Sequence, residues 1–113
     1  MKKTILAFII LGFTSSLFAR PSWCRNAHTY VEKRICHSRY LSDLDYELND
    51  IYHRVKDILR EEDRYLYRRL IRSERRWIRN RNADCYRRSN RCIARKYRRR
   101  IRYLHRYFRS IMD

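Results

Sequence analysis

The 113-residue chain contains a single glycine, Gly12, and a single proline, Pro21. Loops that cradle nucleotide phosphates need several glycines where backbone approaches the ligand, so Walker-type and dinucleotide-binding folds are excluded. Tight hairpin turns want Gly, Asn-Gly or Asp-Gly, and the same shortage argues against a β-sandwich or a hairpin-rich fold. Acids are scarce too: 12 Asp and Glu stand against 29 Lys and Arg, for a net charge of +17. Apolar side chains are not scarce. They make up 44% of the chain, with ten tyrosines and two tryptophans, which is core material that a disordered chain lacks. What remains is one small, basic, helical domain.

Residues 1–19 read as a secretory signal peptide. Lys2-Lys3 is the positive start, Thr4 to Phe18 is uncharged and mostly apolar, and Ala19 supplies the small residue at the cleavage point. The apolar stretch is short for a membrane span. Trp23 stands just before Cys24, where lipidation needs a small residue. Cleavage near Ala19 leaves residues 20–113 as a periplasmic or secreted domain. Its four cysteines, Cys24, Cys36, Cys85 and Cys92, fit two disulfides in an oxidising compartment. Local pairing, Cys24 with Cys36 and Cys85 with Cys92, is the preferred connectivity among the three that four cysteines allow. Each such bridge would stabilise by roughly 2–3 kcal/mol through loop closure. The Cys-x2-4-Cys spacing of a zinc site is missing, and no metal or cofactor is expected.

Hydrophobic periodicity predicts helices throughout. Thr29-Tyr30-Val31-Glu32 is a capping-box pattern that opens a short helix ending near Cys36. Ser38 or Ser42 caps a second helix, striped by Leu41, Leu44, Leu48, Ile51/Tyr52, Val55 and Ile58/Leu59. Glu61-Glu62-Asp63 suits the positive end of a third helix, whose stripe runs through Leu66, Leu70, Trp77, Ile78 and Arg81. Ser89 or Asn90 caps a fourth, striped by Ile93, Tyr97, Ile101, Leu104, Phe108 and Ile111. Short links between helices of roughly 30 Å imply antiparallel neighbours. The expected fold is therefore all-α, a small up-and-down bundle of about four helices stapled by two disulfides. Leu44, Leu48, Tyr52, Trp77, Tyr97 and Ile101 are expected in its core.

The charge is divided along the chain. Residues 20–63 are close to neutral, and Asp43, Asp45, Glu47 and Asp50 form an acidic cluster on the second helix. Residues 64–112 hold 19 Lys and Arg and only two acids. Arginine grips phosphate and carboxylate bidentately, and at helical spacing Arg95, Arg98, Arg99, Arg102, Arg106 and Arg109 spread over a broad face. Such a face would attract cell-wall polymers, lipopolysaccharide or an anionic membrane. Nucleic acid is not favoured, because no base-reading motif accompanies the charge and export removes the chain from most of it. Catalysis is not expected either. The thiols are spent on disulfides, and His28, His37, His53 and His105 are scattered without ligand or base spacing.

The order Cys24-x-x-Ala27-x-Thr29-x-Val31-Glu32-Lys33-x-Ile35-Cys36, then Leu41-x-x-Leu44-Asp45-x-Glu47-Leu48-Asn49-x-x-Tyr52, is followed by two further segments. These are Glu74-Arg75-x-Trp77-Ile78-x-x-Arg81-Asn82-x-x-Cys85 and Cys92-Ile93-x-x-x-Tyr97-x-x-Arg100-Ile101-x-x-Leu104. Together they resemble the small exported proteins related to the N-terminal domain of LprI-type lysozyme inhibitors, over about residues 24–104. The resemblance implies a four-helix, disulfide-stapled domain and a protein partner of the lysozyme or muramidase type, blocked by occupation of its cleft. Relatives are less basic and carry Pro or Ala where this chain has Arg60-Glu61-Glu62-Asp63. Because common animal lysozymes are cationic, the Asp43–Asp50 cluster is the candidate partner-binding patch. The alternative function is polyanion binding through the arginine face.

Overall fold

The computed structural model describes residues 20–113; the expected signal peptide lies outside the described residues. A short 3-10 turn, Ser22–Asn26, leads into helix α1 (Tyr30–Cys36). Three long helices follow: α2 (Arg39–Glu62), α3 (Arg64–Asp84) and α4 (Asn90–Met112). No strand occurs among the described residues. Asp45 near the start of α2 lies by Tyr97 early in α4, and Ile58 and Leu59 late in α2 lie by Ile111 at the end of α4. α2 and α4 therefore run parallel, and α3 returns between those ends. The bundle is up, down and up, with α1 laid across one end.

Local chemistry fixes each boundary. Thr29 Oγ1 accepts from Glu32 N at 3.1 Å, while Glu32 Oε1 accepts from Thr29 N at 3.0 Å. This reciprocal capping box satisfies amides that the first turn of α1 leaves open. Ser38, not Ser42, caps α2, its Oγ accepting from Leu41 N. Ser42 is buried and its hydroxyl donates to Ile35 O, which ties α2 to α1. Ser89 stands at the start of α4 without a side-chain cap bond, and Asn90 Oδ1 accepts from Arg34 Nε instead.

The α2–α3 boundary differs from the sequence expectation. Glu61 and Glu62 complete α2, and Asp63 alone separates the two helices. Its extended backbone (φ −157°, ψ 97°) breaks the helix, its N–H still donates to Leu59 O, and its Oδ1 accepts from Leu66 N at 3.0 Å. One aspartate thus closes one helix and caps the next, so neither Pro nor Gly is needed. At the α3–α4 turn the positive φ of Arg87 (58°) makes the reversal, and that loop is closed by a disulfide.

Both disulfides join local pairs, Cys24–Cys36 and Cys85–Cys92, with Cα atoms 5.9 and 5.7 Å apart. α1 spans the space between them. Tyr30 Oη donates to Arg88 O at 2.8 Å, and its ring meets Tyr86 edge-on at 5.9 Å. The core follows the helical stripes: Val31 and Ile35 from α1, Leu41 to Leu59 from α2, Leu70 from α3, and Ile93 to Leu104 from α4. Full burial of such aliphatic side chains contributes about 1.5–3 kcal/mol each. Leu44, Leu48, Tyr52, Tyr97 and Ile101 are buried, and Trp77 packs half-buried at the core's edge.

Candidate functional site

On the helical wheel the acidic cluster of α2 divides. Asp43, Glu47 and Asp50 are solvent-exposed, and Asp50 pairs with Arg54 one turn along at 3.4 Å. Asp45, two residues from Asp43, turns inward and is only 5% exposed. A carboxylate is tolerated there because donors surround it. Tyr97 Oη donates to Oδ1 at 2.8 Å, while Trp23 Nε1 and Asn49 Nδ2 both donate to Oδ2 at 3.2 Å. Arg81 Nη1 in turn donates to Tyr97 Oη at 2.9 Å. Arg81 and Asp45 therefore meet through a phenol and not as a direct ion pair. Burial lifts the Tyr97 hydroxyl well above its ordinary range, so it stays protonated and can donate to the carboxylate.

Asp45, Asn49 and Arg81, with Glu74, line a cleft of about 390 Å³, walled by Trp23 and Trp77 and rimmed by Asn26, His28 and Glu32. Trp77 is held from behind: Tyr97 meets it edge-on at 5.1 Å, and the Arg81 guanidinium lies 5.6 Å over its ring. A second polar pair lies one turn further into α3. Glu74 Oε1 accepts from Arg100 Nε at 3.1 Å, with Nη2 3.0 Å away but not aligned to donate, and Arg100 Nη1 donates to Ser73 Oγ at 3.1 Å. Burial raises the Glu74 carboxyl above its ordinary value, against the opposing pull of Arg100. Most of the residues that carried the sequence resemblance through α2 and α3 meet around this cleft, among them Asp45, Leu48, Asn49, Trp77 and Arg81.

Tyr46, three residues after Asp43 and four before Asp50, stands beside both on α2 and is the most exposed of the large hydrophobic side chains among the described residues, at 76%. On α4 all six candidate arginines, Arg95, Arg98, Arg99, Arg102, Arg106 and Arg109, are exposed. None of them forms a salt bridge among the described residues, though Arg98 donates to Tyr40 Oη. Sequence reading grouped Asp45 with Asp43, Glu47 and Asp50 as candidate partner-binding residues. Two of its three hydrogen-bond partners, Trp23 and Tyr97, lie 22 and 52 residues away in the chain, and the third, Asn49, stands one turn along α2.

Among the described residues no group of three or more His, Cys, Asp or Glu is placed to hold a metal ion. No helix among them is long and apolar enough to cross a membrane. No curated protein and no solved structure matches the chain. The profile of the family described as Lysozyme inhibitor LprI matches residues 24–104, from the first disulfide cysteine to the last buried leucine of α4. That span takes in both disulfides, the Asp45–Tyr97–Arg81 network and every residue lining the cleft except Trp23, and the chain belongs to the LprI lysozyme inhibitor family.

Proposed function

We propose that this protein is an exported, non-enzymatic inhibitor that binds a lysozyme-type muramidase and blocks its cleft. The family match over residues 24–104 carries this reading. Two disulfides and a hydrogen-bonded interior suit it, because a scaffold rigid before binding loses little conformational entropy on docking. The inhibitor performs no chemistry; the enzyme stops because substrate cannot enter.

Charge favours α2 as the contact face. The arginine-dense helices α3 and α4 would repel a cationic enzyme at long range, whereas Asp43, Glu47 and Asp50 attract it. Tyr46 supplies the exposed aromatic surface that protein interfaces favour as an anchor. Purified oxidised protein should abolish lysozyme turnover of cell walls at micromolar excess. Tyr46→Ala and Glu47→Lys should weaken inhibition without changing the helical circular dichroism. Full turnover with every lysozyme type tried would end this reading.

A further inference from the structure

The family assignment leaves the most highly charged part of the molecule without a role. A groove of about 310 Å³ runs between α3 and α4, lined by Arg69, Ser73 and Arg76 from one side and Tyr103 and Tyr107 from the other. No carboxylate lines it. Glu74, next to Ser73 in the chain, is already engaged by Arg100, which also donates to Ser73 Oγ on the groove wall, and Asp63 at the groove's far end caps Leu66 N. By helical spacing Arg72, three residues from Arg69, and Arg99, four from Tyr103, fall beside these lining residues, and both are exposed and in no salt bridge among the described residues. The positive potential of the groove is therefore uncompensated from within.

Shape narrows the ligand. Arg69 and Arg76 are two helical turns apart, about 10 Å along α3, which is too far for a single phosphate to bridge. A planar lipid surface would meet the outward arginines before it reached the recessed Ser73. Tyr103 and Tyr107 pack on each other, with ring centroids 6.1 Å apart, and do not stand as separate platforms for successive bases. A thread with repeated phosphates and no aromatic units satisfies all three constraints. We propose that the α3–α4 groove binds a linear phosphate polymer, with Arg69 and Arg76 gripping phosphates two turns apart and Arg72 and Arg99 closing over the chain. This site is separate from the α2 face and does not rest on the inhibitor reading.

Titration of the oxidised protein with inorganic polyphosphate tests the proposal by calorimetry. Four arginine contacts predict a log–log salt slope of about −3, taking the value of about 0.7 per contact known for flexible single strands. Arg69→Gln and Arg76→Gln should each weaken binding about tenfold, the loss of one charge-assisted contact. The control changes Arg25→Gln, in the 3-10 turn, and Arg91→Gln, about a third of a turn around α4 from Tyr103, remove the same charge outside the groove. They should weaken binding less than about threefold. Equal losses from groove and control variants would overturn the proposal, since diffuse charge would then explain the affinity. So would orthophosphate binding as tightly as the polymer. A thymidine oligonucleotide or phosphatidylglycerol vesicles showing the stronger dependence on Arg69 and Arg76 would transfer the groove to that partner and overturn the polymer assignment.

Discussion

At the end of the bundle where α3 turns into α4, the chain is crosslinked twice, spanned by α1, and organised around a buried carboxylate with three donors. At the opposite end, where α2 turns into α3 and α4 finishes, a single aspartate makes the turn. The packing there is apolar: Val55, Leu59, Leu70 and Leu104, with Leu66, Phe108 and Ile111 half-buried against them. The stapled end depends on particular atoms meeting, because a buried Asp45 or Tyr97 hydroxyl without its partner costs about 1–3 kcal/mol. The open end depends on volume and tolerates substitution among aliphatic side chains. A protein that works by presenting a fixed surface gains most from rigidity near that surface, and Tyr46 projects one residue beyond Asp45 in the stapled half.

The largest expected effect lies where the two halves join. Glu74→Ala would strand the Arg100 guanidinium, only 9% exposed, without a counter-charge, and should destabilise by about 3–5 kcal/mol. The joint change Glu74→Leu with Arg100→Leu should recover most of that loss, as replacement of a buried ion pair by apolar side chains often does. Urea unfolding of the three variants measures both. No recovery in the double variant would mean that the pair is net stabilising.

Next come the staples. Removing Cys24–Cys36 as paired serines should cost about 3 kcal/mol and removing Cys85–Cys92 about 2.5 kcal/mol, following the loops of 12 and 7 residues they close. Amide hydrogen exchange should then quicken in α1 and the α3–α4 turn while Leu59 and Leu104 stay protected. Uniform acceleration would show that the ends unfold as one unit. Asp63→Ala is the counterpart at the open end. It removes the cap on Leu66 N and should cost about 1 kcal/mol, read as a fall in melting temperature.

The smallest effects are electrostatic and opposite in sign. Burial pulls the Glu32 carboxyl up, but the amides of Thr29 and His28 outweigh it and hold the group below its ordinary value. Its stabilisation is present above the ordinary Glu pKa and is lost as pH falls through the lowered one. Glu74 is raised, so its contribution is full below the ordinary value and lost as pH rises through the raised one. On acidification the stability advantage of wild type over Glu32→Gln should shrink, while wild type should gain relative to Glu74→Gln. Chemical denaturation across the acid range checks both trends, and parallel shifts would contradict the opposed assignment.

Much of this architecture was legible in the sequence because its causes are local. Thr29 and Glu32 lie one turn apart, each cysteine finds a near partner, and stripes such as Leu41–Leu44–Leu48 announce a buried helix face. The α2–α3 break was misplaced because three consecutive acids look alike until backbone conformation selects Asp63 as the cap. Asp45 was read with Asp43, Glu47 and Asp50 for a related reason. Proximity in the chain groups them, but 100° per residue on a helix separates them, and what recruits Asp45 inward is Tyr97 on a different helix. The α3–α4 groove was visible only as an excess of arginine, since which arginines face Ser73 depends on how two helices are rotated against each other.

The chain's two tryptophans, Trp23 and Trp77, stand on the same cleft. Ultraviolet emission from the indoles therefore monitors one half of the molecule only. Loosening of the region around Asp45 would redden that light, whereas fraying around Asp63 would leave it unaltered and register solely in backbone ellipticity. A mismatch between the two optical signals during heating would time the separation of the halves without any label.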